Sequence, residues 1–237
     1  MDLRRHKSDG PLLLCFNPTV MLATFIIEAF LVLLLFVRYK LTPLIRFSLA
    51  IVVCLAVFQL AEYAVCEGNP AWAPYWSRAG FVAITLLPVF GAHAAYHLTE
   101  SKNKRLLSIV TLFGVGFASV FLFGDVFGEP VCGGNYIIFN LNTPIGGWFF
   151  VYYYALLLGT IIWTLRAAHE ASRRLRDTLH MFIASYFSFI VPSAIVTVWR
   201  PITLNGLPSI MCGFALLFAL LYTLLVIPRV QQPEIDR

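Results

Sequence analysis

The sequence predicts an all-α integral membrane protein: a bundle of seven transmembrane helices with its N-terminus outside and its C-terminus in the cytoplasm. Three observations carry that prediction. Of the 237 residues, 59% are apolar and only 12% charged, with a mean hydropathy of +0.81; a soluble domain carries about twice that charge. The apolar residues fall in long blocks that reach or approach the ~20 residues needed to cross a hydrocarbon layer as a helix. Backbone in lipid must satisfy its own hydrogen bonds, so such blocks become helices. Finally, Lys and Arg gather in alternate links between the blocks, as membrane topology demands.

The blocks run over residues 19–38, 44–66, 78–98, 105–124, 147–168, 179–199 and 208–228. Pro18 precedes the first and Pro43 separates it from the second. Gly68, Asn69, Pro70 and Pro74 break the second from the third, and Gly146 and Gly147 open the fifth. Pro201, Asn205, Gly206 and Pro208 form the link before the seventh, which is expected to end at Pro228. The proposed organisation is an extracytoplasmic tail (1–18), a membrane domain (19–228) and a cytoplasmic tail (229–237). The apolar stretch Pro11–Phe16 is too short for a signal-peptide core, so the N-terminal tail is expected to be retained.

Twelve Lys and Arg residues fall on one side of this scheme: Arg38, Lys40, Arg46, Lys102, Lys104, Arg105, Arg166, Arg173, Arg174, Arg176, Arg229 and Arg237. Five fall on the other, namely Arg4, Arg5, Lys7, Arg78 and Arg200. The richer side is cytoplasmic by the positive-inside rule. The net charge of +5 is thereby a matter of topology, and no basic tract of nucleic-acid-binding type exists. The basic face would meet anionic lipid or another membrane or cytoplasmic protein, although topology alone also accounts for it.

Of five cysteines, Cys54 falls mid-helix, while Cys15, Cys66, Cys132 and Cys212 fall near the outer face, where disulfides persist. Four cysteines allow three pairings. Cys66–Cys132 is the favoured one, because both lie in or beside outer loops. The loop 125–146 is the only sizeable one. Its segment from Asn135 to Asn142 has the residues of a short strand or hairpin arm between turns, and it is a candidate cap over the outer mouth. Dipping into the lipid headgroups is the alternative.

An ionisable group within a membrane helix marks a functional candidate, since placing it there is costly. Glu28 lies near the middle of the first helix, and Gln59 and Glu62 lie in the outer part of the second. At 1.5 Å per residue, Glu28 and Gln59 sit at about the same depth, ~10–13 Å from the outer ends. They would form a polar pocket open to the outside. The alternative is structural, with Glu28 hydrogen-bonded to a neighbour and Glu62 paired with Arg78. The aromatic run 148–154 supplies Trp148 and Tyr152 as a candidate ligand wall or, equally, an interfacial belt. His93 and His97 stand four apart on one helical face, the spacing of two metal or haem ligands, but no Cys or carboxylate pattern completes a site. No cofactor is expected. Pro88 and Pro192 lie deep in their helices and would favour kinks.

Other classes lack their signatures. No Lys lies in the seventh helix for retinal, and no nucleophile motif, zinc motif or intramembrane Asp pair supports hydrolysis. Nor is there an inverted repeat of broken helices. The chain is therefore not expected to be an enzyme.

The stretch 51–98, with Glu62 in the second helix, Trp76 opening the third and Pro88 in its middle, resembles the N-terminal seven-helix region of bacterial sensor histidine kinases. The resemblance implies a multi-pass protein of the bacterial cytoplasmic membrane with a sensory role. The expected function is that of a seven-helix sensory or binding protein without its own output domain. It would take a small apolar ligand from the outer side near Glu28, Gln59, Glu62, Trp148 and Tyr152. An accessory subunit of a larger membrane complex and a proton- or cation-linked transporter using Glu28 are the alternatives.

Overall fold

The computed structural model describes residues 18–101, 103–133, 136–141, 143–199 and 206–231. The N-terminal tail with Cys15, Lys102, Gly134, Asn135, Asn142, the link 200–205 and the end of the C-terminal tail lie outside the described residues. Seven helices are long and apolar enough to cross a membrane. They are α1 (Pro18–Arg38), α2 (Pro43–Glu67), α3 (Ala73–Leu98), α4 (Lys104–Phe123), α5 (Thr143–Glu170), α6 (Arg173–Trp199) and α7 (Leu207–Leu221). The last continues through a π-helical turn (Tyr222–Val226) into α8 (Ile227–Gln231). Between α4 and α5, β1 (Val131–Gly133) and β2 (Tyr136–Ile138) pair antiparallel, with Cys132 opposite Ile137.

Local chemistry explains the helix starts. Thr42 caps α2, its hydroxyl accepting from the Ile45 N–H, and Pro43 follows in the first turn, where a missing N–H costs nothing. Asn69 caps a single 3-10 turn, Pro70–Trp72, and Asn103 caps α4 by accepting from the Leu106 N–H. Three boundaries differ from the sequence reading. Pro74 lies inside the first turn of α3, which begins at Ala73, five residues earlier than expected. Gly146 and Gly147 lie inside α5, which starts at Thr143 because Pro144 suits a first helical turn. Pro228 does not end the last helix. The Ile227 N–H donates to the Tyr222 carbonyl, and this wider π turn sits directly before the proline, where an ordinary turn would clash.

α3 packs on α2, α4 and α5, and α7 packs on α1, α2 and α6, so α2, α3 and α7 form the centre. One apolar cluster centres on Leu55, Phe182, Tyr186, Phe218 and Tyr222. A second lies at the hairpin end and is mostly aromatic: Phe81 meets Phe121, Phe127, Phe139 and Phe149 at ring separations of 5.1–5.8 Å. The outward faces of α1 and α4 carry exposed Phe30, Phe36, Leu112, Phe113 and Phe123, a surface suited to lipid.

The hairpin is tied to the bundle in three ways. Cys66 at the end of α2 is disulfide-bonded to Cys132, with Cα atoms 5.8 Å apart, so the structure contains the favoured pair. The Ile137 N–H donates to the Ser209 hydroxyl of α7 at 3.3 Å. Ile137 and Phe139 are buried, and Phe139 packs against Phe58 and Phe81. The loop thus lies on the helix ends, and Cys54 and Cys212 remain free thiols.

Candidate functional site

Beneath the hairpin lies a cavity of about 410 Å³. Ile138, Phe139, Asn140 and Leu141 roof it, and Phe81 and Ile84 of α3 form one wall. Gly146, Gly147, Phe149, Phe150, Tyr153 and Tyr154 of α5 form another, and Leu207, Pro208, Met211 and Cys212 of α7 the third. None of these sixteen residues is charged. Polar character comes from Asn140 and the two tyrosines; the Tyr154 hydroxyl already donates to the Met211 sulfur at 3.1 Å. A smaller apolar void of about 30 Å³ shares Tyr153, Met211 and Cys212 and is lined further in by Gly91, Tyr186 and Phe218. The two spaces adjoin across those three shared side chains.

The aromatic run of α5 divides by helical period. Phe149, Phe150, Tyr153 and Tyr154 reach the cavity, whereas Trp148 is 70% exposed on the outer surface. Tyr152 is buried but turned to α3 and α4, where its hydroxyl donates to the Thr85 carbonyl at 2.8 Å and its ring meets Phe117. Neither candidate, Trp148 or Tyr152, lines the cavity. The reason is the 100° step per residue, which sends neighbours in an aromatic run to different faces. Sequence reading missed Phe149, Phe150, Tyr153 and Tyr154, and the buried positions of α5 would not have selected them as a set, since Tyr152 is buried and Phe150 is 45% exposed.

Glu28, Gln59 and Glu62 also stand away from the cavity lining, but they are buried together in the bundle, each at most 2% exposed. Glu28 and Glu62 are close enough to interact electrostatically, as both do with Cys212 of α7. The Ser209 hydroxyl is a hydrogen-bonding neighbour of Glu62. Both Glu28 carboxyl oxygens, Glu62 Oε1 and Gln59 Nε2 are buried without a hydrogen-bond partner. These groups are buried within the bundle and do not line the cavity, whose lining residue Cys212 is their electrostatic neighbour. Arg78 does not pair with Glu62; its Nη1 donates to the Leu122 carbonyl at 2.8 Å.

His93 and His97 both lie against one ring, Phe47, at centroid distances of 4.3 and 5.6 Å. His93 Nε2 is hydrogen-bonded to the Thr111 hydroxyl at 2.9 Å. Among the described residues, no group of three His, Cys, Asp or Glu side chains is placed to hold a metal. The i, i+4 histidine spacing here serves packing between α2, α3 and α4. No protein-family model matches the chain, and no curated protein matches it.

Proposed function

We propose that this protein is a seven-helix membrane binding protein of sensory type, which holds a small uncharged apolar ligand in the cavity beneath the hairpin. The cavity itself carries the reading. Its volume of about 410 Å³ falls in the range of small-molecule sites, and such sites are mostly apolar with a few placed polar groups. The absence of charge on its lining disfavours an ionic ligand, whose desolvation nothing there would offset. Four aromatic side chains from α5 and two from α3 and the roof favour a flat or ring-containing molecule, held by offset or edge-on ring contacts. Asn140 and the Tyr153 hydroxyl offer a hydrogen bond to one polar end. Phe150, 45% exposed at the cavity edge, marks a lateral entry from the lipid layer for such a ligand.

In this reading the hairpin end faces outward and the basic end, with Arg173, Arg174 and Arg176, faces the cytoplasm and its anionic lipids or a partner protein. The test is occlusion of the cavity. A Cβ on Gly146 would make an ordinary 3.5 Å contact with Leu141 of the roof, so a larger side chain there projects toward the hairpin without disrupting α5. Small molecules that travel with the protein from its native membrane are identified by mass spectrometry after gentle extraction. Gly146→Phe is expected to lower their occupancy at least tenfold while the melting temperature holds or rises. Equal occupancy in the variant, or no small molecule retained by either protein, would refute the reading.

A further inference from the structure

The cluster of Glu28, Gln59 and Glu62 plays no part in the ligand cavity, and its chemistry calls for a separate explanation. Glu28 is ten residues into α1 and Glu62 five residues from the end of α2, so both carboxyls lie within the spans at depths of about 15 and 8 Å. A carboxylate removed from water without a partner is among the most costly groups in a protein, and two close together repel as well. Yet the structure gives Glu28 no hydrogen bond at either oxygen, and Glu62 none at Oε1. Gln59, one helical turn before Glu62 on the same face of α2, is 2% exposed and also has an unpartnered amide nitrogen. Three polar side chains from two helices are thus buried with polar atoms that lack a partner, and two of the three are acids.

We propose that Glu28 and Glu62, with the Gln59 amide and the Ser209 hydroxyl, form a buried site for one monovalent cation, taken up as a proton or as Na⁺. One bound monovalent cation reduces the pair from two negative charges to one, which relieves both their repulsion and the cost of burying them. As a proton, the charge bonds to one carboxyl oxygen, which neutralises that acid and removes its repulsion from the other. As Na⁺, it is coordinated by the two carboxylates and the Ser209 oxygen, with the Gln59 amide turned so that its oxygen replaces the unpartnered nitrogen. The titratable neighbours that meet the pair are each other and, from α7, the Cys212 thiol. Arg78 of α3 is engaged with Leu122 instead. Since Ser209 also accepts from the Ile137 N–H, the site adjoins the anchor of the hairpin.

The experiment follows thermal unfolding of the detergent-solubilised chain from about pH 5 to about pH 9, with NaCl or choline chloride at equal ionic strength. A cation bound only by the folded state raises the melting temperature by about 3–5 °C for each tenfold rise in its concentration above the dissociation constant. The wild type is expected to gain stability on acidification, on adding Na⁺ at fixed pH, or both. The doubly substituted Glu28→Gln, Glu62→Gln protein is expected to lose that gain. A response to acid alone assigns the proton, and a response to Na⁺ at fixed pH assigns the alkali ion. An indifferent wild type, or an equal response in the double variant, overturns the proposal. Should the double variant fail to fold, carbodiimide labelling of the wild type in membranes replaces it. An adduct on Glu28 or Glu62 that slows with rising pH or with Na⁺ supports the site; no adduct on either, or a rate indifferent to both, refutes it.

Discussion

At the scale of single residues, burial separates side chains that look alike in the sequence. Glu28 and Glu62 stand out on sight, because an acid within an apolar block has no ordinary reason to be there. Their common burial with Gln59 follows the depth estimate from helical rise. Gly91 gives no such signal. Its importance lies in Tyr186 of α6, whose hydroxyl occupies the space where a Cβ would stand. Gly91→Val is therefore expected to destabilise the protein by about 1–3 kcal/mol through overpacking. Adding Tyr186→Phe, which removes the clashing oxygen, should recover part of that loss. Thermal melts of the two single variants and the double variant measure the coupling directly.

At the scale of elements, the long blocks are legible and their faces are not. All seven spans lie where hydropathy places them, with ends displaced by a few residues where proline sits inside a first turn or beside a π turn. The aromatic run of α5 is plain in the sequence, but its division into an outward Trp148 and the cavity-lining Phe149, Phe150, Tyr153 and Tyr154 depends on which neighbours surround the helix. The hairpin is three residues per strand, too short to hold itself together. Its order comes from Phe139 among the aromatic rings, from Ser209, and from the Cys66–Cys132 bond, which closes a separation of 66 residues. Cys66→Ser is expected to cost about 2–4 kcal/mol. Amide hydrogen exchange should show residues 131–138 losing protection first, while the cores of α2 and α3 stay protected. Uniform loss across the bundle would show that the bond holds more than the hairpin.

At the scale of the whole molecule, helix alternation puts the hairpin at one end and most of the basic residues at the other. Arg38, Lys40, Arg46, Lys104, Arg105 and the cluster Arg173, Arg174 and Arg176 all belong to links or termini opposite the disulfide. By the positive-inside rule, the orientation we propose has the hairpin end outward. The corresponding prediction uses the disulfide as a reporter. On intact cells, a membrane-impermeant maleimide should label Cys66 and Cys132 only after reduction. Labelling that requires a permeabilised membrane would invert the orientation and move the lateral ligand entry to the cytoplasmic leaflet.

The sequence by itself determined the number and place of the seven helices long and apolar enough to cross a membrane. Hydrophobic length and backbone hydrogen bonding act along the chain, and both can be counted residue by residue. It also marked the acids, the cysteines and the loop, since each is chemically out of place in an apolar chain. Only the tertiary structure decided that Glu28, Gln59 and Glu62 are buried together away from the cavity lining, and that Arg78 turns to Leu122. It alone made the space between α3, α5, α7 and the hairpin a cavity. These outcomes depend on helix rotation and neighbour choice, which are set by packing of faces from distant segments and leave no mark in local periodicity.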